Sequence, residues 1–125
     1  MKLRVARHTV NLEHIIWFYR DLLGLEVLGS FEDHNGYNGV FIGLKGMEWH
    51  LEFTTSAQLP KHEPDEDDLL VFYQHSVAEY EALKQRLETH NATILTAKNP
   101  YWNTNGCMYL DPDGYRVLIA LAGNY

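Results

Sequence analysis

Cysteine occurs once, at Cys107, in a chain of 125 residues. A single thiol excludes an intrachain disulfide, and a chain without disulfides is expected in a reducing, cytoplasmic compartment. Cys107 is open to two readings, a nucleophile or a small buried apolar residue, and the second is the ordinary one. Basic residues are also scarce. Ten Lys and Arg stand against seventeen Asp and Glu, for a formal net charge of −7. Phosphate binding needs clustered Lys and Arg, so no nucleic-acid partner is expected. Long apolar runs are missing too. No window approaches the ~18 uninterrupted apolar residues of a membrane span, so no membrane partner is expected. The opening MKLRVARHTV is too short and too charged for a signal peptide.

What is there suits one domain with a real core, since 46% of the residues are hydrophobic. LRVARHTV is a β-branched run, and Asn11 after it is a good N-cap. The next segment places Leu12, Ile15, Ile16, Tyr19, Leu22 and Leu23 on one helical stripe, stopped by Gly24. Trp17 and Phe18 lie on or just outside that stripe, which suggests a subunit interface, although Phe18 also fits the core. LEVLGSFE, YNGVFIGL and MEWHLEFTT read as three strands, joined by turns at Asn35-Gly36 and Lys45-Gly46. SAQLPKHEPDEDD carries two prolines and an acidic run and reads as a solvated connection.

The pattern then restarts. LLVFYQ is a strand, and Ser76 to Glu79 form a capping box. The helix stripe runs through Val77, Tyr80, Leu83, Lys84 and Leu87, and Asn91 can take the left-handed stop conformation. ATILTA is a strand, NPYWNTNG a loop, and CMYL and YRVLIAL are strands joined by DPDG. The caps Asn11 and Ser76 lie sixty-five positions apart (76 minus 11), so the chain reads as two β-α-β-β-β units in tandem.

That order, with FYRDLLGLEVL and YLDPDGYRVLIAL, resembles the vicinal oxygen chelate superfamily, which includes glyoxalase I, bleomycin- and fosfomycin-resistance proteins and extradiol dioxygenases. The resemblance covers nearly the whole chain. It implies an α+β fold of tandem βαβββ modules, forming a curled mixed sheet around a cup that holds a small molecule, and often a homodimer. Module one would span about 1–56, the acidic linker about 57–68 and module two about 69–125. Asp111-Pro112-Asp113-Gly114 then falls on the last hairpin. Turn chemistry agrees: Pro112 sets φ, the aspartates accept local N–H groups and Gly114 takes positive φ.

Enzymes of that superfamily usually hold a divalent metal on His, Glu or Gln from the first and last strand of each module. The resemblance carries these positions onto Arg4, Glu52, a residue near Leu69, and Leu118. Only Glu52 is a competent ligand. A guanidinium has no lone pair to offer, and leucines contribute nothing. About three protein ligands are needed, so no metal cofactor is expected. A one-residue slip at the first or last strand brings in Leu3, Val5, Val117 or Ile119, none a ligand, whereas one at Leu69 brings in Asp68.

Alternation puts Arg4, Ala6 and His8 on one face of the first strand, and Glu48, His50, Glu52 and Thr54 on one face of the fourth. Met47, Trp49, Leu51 and Phe53 should pack on the helix. In the second module Leu69, Val71 and Tyr73, and Arg116, Leu118 and Ala120, take the matching face. The expected cup is polar on one side and apolar on the other, which suits an amphiphilic or aromatic molecule. Arg4 and Glu52 are expected to pair, either as a structural bridge or with Arg4 receiving an anionic group. His8, His50 and Glu52 are the alternative, a two-His, one-carboxylate metal site. Without metal, His50 and Glu52 are candidate acid–base groups. Tyr101 and Trp102 either close over the cup or plug a core edge. The candidate ligand-binding residues are therefore Arg4, His8, His50, Glu52, Tyr73, Trp102, Arg116 and Leu118. The expected function is metal-free binding of a small anionic or aromatic molecule, and the alternative is a metal-dependent lyase or dioxygenase.

Overall fold

A computed structural model describes residues 1–123, so the last two positions of the second module, Asn124 and Tyr125, lie outside the described residues. The chain divides into two compact units, Met1–Lys61 and one starting at His62.

In the first unit, strand β1 (Leu3–His8) leads through the Asn11 cap into helix α1 (Leu12–Ile16). Asn11 Oδ1 accepts from the His14 amide at 3.1 Å, which satisfies one orphan donor of the first turn. The helix continues as a π-helical stretch over Trp17–Leu22. There the Leu23 amide donates to the Phe18 carbonyl at 3.0 Å, a five-residue step. The wider turn lets adjacent residues Phe18 and Tyr19 both reach the core, at 2% and 0% exposure. Phe18 is thus core and not interface, whereas Trp17 stays exposed. Gly24, at φ 83°, ends the segment.

Strands β2 (Glu26–His34), β3 (Tyr37–Gly43) and β4 (Trp49–Thr55) complete a mixed sheet in the order β1-β4-β3-β2, with β1 parallel to β4. Val40, Ile42, Leu51 and Phe53 are buried on one face. Tyr19 meets Phe53 there at 4.9 Å between ring centroids, and Phe18 at 5.0 Å. The strand begins only at Trp49, so Met47, expected in that packed set, is exposed at the turn before it.

The second unit repeats the plan. Strand β5 (Leu69–Gln74) leads to helix α2 (Val77–Thr89). Ser76 Oγ accepts from the Glu79 amide, and the His75 amide donates to Glu79 Oε2. The helix ends with the Ala92 amide on Leu87 and the Asn91 amide on Glu88, with Asn91 at φ 56°, a Schellman closure that satisfies its last carbonyls. Leu83 and Leu87 are buried, but Val77, expected on the stripe, is exposed in the first turn.

Strand β6 is only Ile94–Leu95, shorter than the ATILTA expected. NPYWNTNG is not a loop: Asn99 caps helix α3 (Pro100–Asn105), with Pro100 in the first turn. There the missing proline N–H costs nothing, because first-turn amides have no intrahelical partner. Strands β7 (Gly106–Leu110) and β8 (Arg116–Leu121) follow, in sheet order β5-β8-β7-β6. DPDG is the β7–β8 hairpin. Asp111, buried, accepts from the amides of Asp113 and Tyr115 at 2.9 Å each, and Gly114 sits at φ 85°.

The acidic connection is exposed from Asp65 to Asp68, as expected. His62, however, is half-buried, and its Nδ1 lies 2.9 Å from the Tyr115 hydroxyl. The stretch is therefore tied to the hairpin within the second unit and is not solvated throughout.

Candidate ligand-binding site

The polar face of the first sheet follows from strand register. Arg4 pairs with His50, Ala6 with Glu52 and His8 with Thr54. On the other side of β4, Gly43 pairs with His50, Phe41 with Glu52 and Gly39 with Thr54. Side chains alternate, so Arg4, His50, Glu52 and Phe41 share one face. Leu51 and Phe53 take the opposite, helix-covered face.

Arg4 reaches across β4. Its Nε donates to His50 Nε2 at 2.9 Å, its NH1 lies 3.7 Å from Glu52 Oε2, and its guanidinium carbon sits 4.9 Å from the Phe41 ring centroid. The long pair to Glu52, with the Arg4 side chain half exposed, contributes at most about 1 kcal/mol. The bond to His50 is more informative. A nitrogen that accepts from Arg4 carries no proton, so His50 is neutral, with its hydrogen on Nδ1. Its pKa is held below the ordinary 6.5 by desolvation, then by the charges of Arg4 and Lys2, with Glu52 opposing.

The structure brings Arg4, His50 and Glu52 together and leaves His8 apart. His8 lies four residues along β1 from Arg4, roughly 13 Å. Its Nε2 bonds the Ser56 hydroxyl at 3.0 Å and its ring faces Tyr37. Metal ligands must converge to about 2 Å from one ion, and His8, His50 and Glu52 do not. The His50 lone pair is taken by Arg4, and a fixed cation stands beside Glu52. Among the described residues no three His, Cys, Asp or Glu are grouped to hold a metal. Asp68 precedes β5 and is exposed, so it does not supply the missing ligand. The superfamily's usual divalent metal does not fit this donor set.

In the second unit, Leu69, Val71 and Tyr73 pack against a buried cluster of Ala97, Met108, Leu118 and Ala120. Trp102 of α3 packs on the same cluster and so plugs a core edge. Leu118 is fully buried. Arg116 lies at the strand start, where NH1 donates to the Gly114 carbonyl at 3.4 Å and Nε is buried without a hydrogen-bond partner. Cys107 accepts from the Tyr80 hydroxyl of α2 at 3.3 Å. Burial, and then the bond and charge of Cys107, push the Tyr80 phenol far up, so it remains the donor.

Sequence reasoning missed Phe41 as the ring under Arg4. The signal was present in Gly39-Val40-Phe41-Ile42-Gly43, where glycines flank Phe41 on one face and clear space around it.

Two family models match, the YycE-like N-terminal domain over residues 3–54 and the YycE-like C-terminal domain over residues 67–120. YycE of Bacillus subtilis (strain 168) is 39% identical over 121 residues, covering 94% of this chain and 86% of the relative. The chain belongs to the YycE-like family. A crystal structure of a Bacillus subtilis YycE protein of unknown function superimposes with a TM-score of 0.85 at 37% identity, covering 98% of this chain and 93% of that one. The trypanothione-dependent glyoxalase I of Leishmania major follows at TM-score 0.76 and 21% identity, covering 97% and 86%. TnmS3, an antibiotic binding protein from Streptomyces sp. CB03234, gives 0.69 at 19% identity, covering 97% and 94%. The family therefore has the vicinal oxygen chelate fold, α+β, with a four-stranded mixed sheet in each half.

Proposed function

We propose that this YycE-like protein binds a small organic anion on the Arg4 face of its first sheet, without a metal ion. The observation that carries the reading is the Arg4 geometry. A guanidinium engages an imidazole lone pair and stands beside a carboxylate, the two kinds of group a divalent cation would use. The positive charge is thus supplied by the chain itself. Apart from the bond to His50, the Arg4 N–H groups make no hydrogen bond among the described residues, and they are matched to a carboxylate or phosphonate. Glu52 offers an acceptor for a donor on the ligand. TnmS3, an antibiotic binding protein with the same fold, supports a role in binding.

Thermal-shift measurements test this with paired small carboxylates and their neutral amides. The acids raise Tm, the amides do not, and Arg4→Leu abolishes the rise. Equal stabilisation of the Arg4→Leu protein by the acids would overturn the reading.

A further inference from the structure

We infer that the ligand of this site is an aromatic carboxylate, with its carboxylate on Arg4 and its ring against Phe31 and the part of Phe41 that Arg4 leaves open. The inference rests on the reading above that Arg4 receives an anion, and it specifies what the anion is attached to.

Phe31 belongs to the same face. It pairs with Gly39 across β2 and β3, while Phe41 pairs with Gly29. The two rings lie 5.8 Å apart between centroids, tilted by 44°, within the range of paired aromatic rings. Gly39 allows this. A Cβ there would lie 2.3 Å from Phe31 Cζ, closer than atoms can approach. The Phe31 ring therefore occupies the place where a residue-39 side chain would stand, and it lies across β3 beside Phe41.

Both rings remain half-buried, whereas Phe18 and Phe53 are fully packed against the helix on the other face. A continuous aromatic surface is thus left on the Arg4 side. Arg4 lies over one end of it, on Phe41. A carboxylate that meets a guanidinium edge-on is coplanar with it. With the guanidinium carbon 4.9 Å from the Phe41 centroid, a ring attached to that carboxylate comes within reach of the neighbouring aromatic surface. A saturated acid has the charge but no π-face, and an aromatic amide has the π-face but no charge.

Nitrogen-15 NMR titrations of the full chain with benzoate, cyclohexanecarboxylate and benzamide separate these contributions. Benzoate is expected to shift the amides of Arg4, Gly39 and Gly43 and to bind roughly fivefold more tightly than cyclohexanecarboxylate. Benzamide should give no saturable shift. Phe41→Leu and Phe31→Leu, each checked for a dispersed native spectrum, should bring the two acids to near parity while cyclohexanecarboxylate still binds. Equal affinity of the two acids for the unaltered protein overturns this inference and leaves the anion site standing. Failure of both acids to bind overturns the anion site and the inference together.

Discussion

Arg4 Nε donates to His50 Nε2, and this bond needs a neutral imidazole. The folded pKa of His50 is correspondingly lowered from 6.5, by desolvation first and by Arg4 next. An unfolded chain then binds more protons than the folded one in the range from about 6.5 downward, so stability rises with pH through that window. The contribution is fully present above 6.5 and is lost as His50 is forced to protonate in acid. His50→Gln keeps an uncharged acceptor for Arg4 and removes the titration. Urea denaturation at pH 7.5, 6 and 5 should show a shallower loss of stability in acid for His50→Gln than for the unaltered protein. Equal slopes would contradict the assignment. At this scale the sequence carried much of the site. Arg4, His50 and Glu52 were legible because alternation along two short strands fixes their face. Phe31 was not, because its place depends on which glycine sits opposite its ring, and Phe41, though flanked by glycines on its own strand, comes under Arg4 only through the register between strands.

Neighbouring aromatic residues in the first helix behave differently because the element is not a regular α-helix. A uniform 3.6-residue stripe leaves Trp17 and Phe18 both at its margin. The π-helical stretch over Trp17–Leu22 turns Phe18 fully inward and leaves Trp17 42% exposed. Phe18→Ala should therefore lower stability by about 3–5 kcal/mol, the cost of emptying a packed aromatic site. Trp17→Ala should cost clearly less than that, since Trp17 is 42% exposed and leaves no closed cavity behind. Chemical denaturation of the two variants measures both, and a comparable loss at Trp17 would count against the wide turn. Helix α3 shows the opposite limitation. Asn99-Pro100 is a sound helix start, with Asn99 Oδ1 accepting from the Tyr101 amide. Polar, turn-forming residues on both sides nevertheless read as loop, because a six-residue helix offers too few positions for a stripe. Its packing on the second cluster through Trp102 is a tertiary effect.

At the scale of the whole molecule, the repeat was legible because each half carries its own cap, stripe and stop. Asn11 and Gly24 mark the first half, and Ser76 and Asn91 the second. The sheet orders β1-β4-β3-β2 and β5-β8-β7-β6 are the same topology twice. The two halves differ in what the corresponding sheet face carries. The first carries Arg4, His50 and Glu52, and the second carries buried Met108, Leu118 and Ala120. The second half thus carries no metal ligand among these residues, and the first places a fixed cation beside Glu52. The most direct test is the metal content of the full chain, purified without chelator, dialysed against Zn²⁺, Mn²⁺ and Ni²⁺ and measured by mass spectrometry. Far less than one ion per chain is expected. One ion per chain, lost on Glu52→Gln, would contradict it.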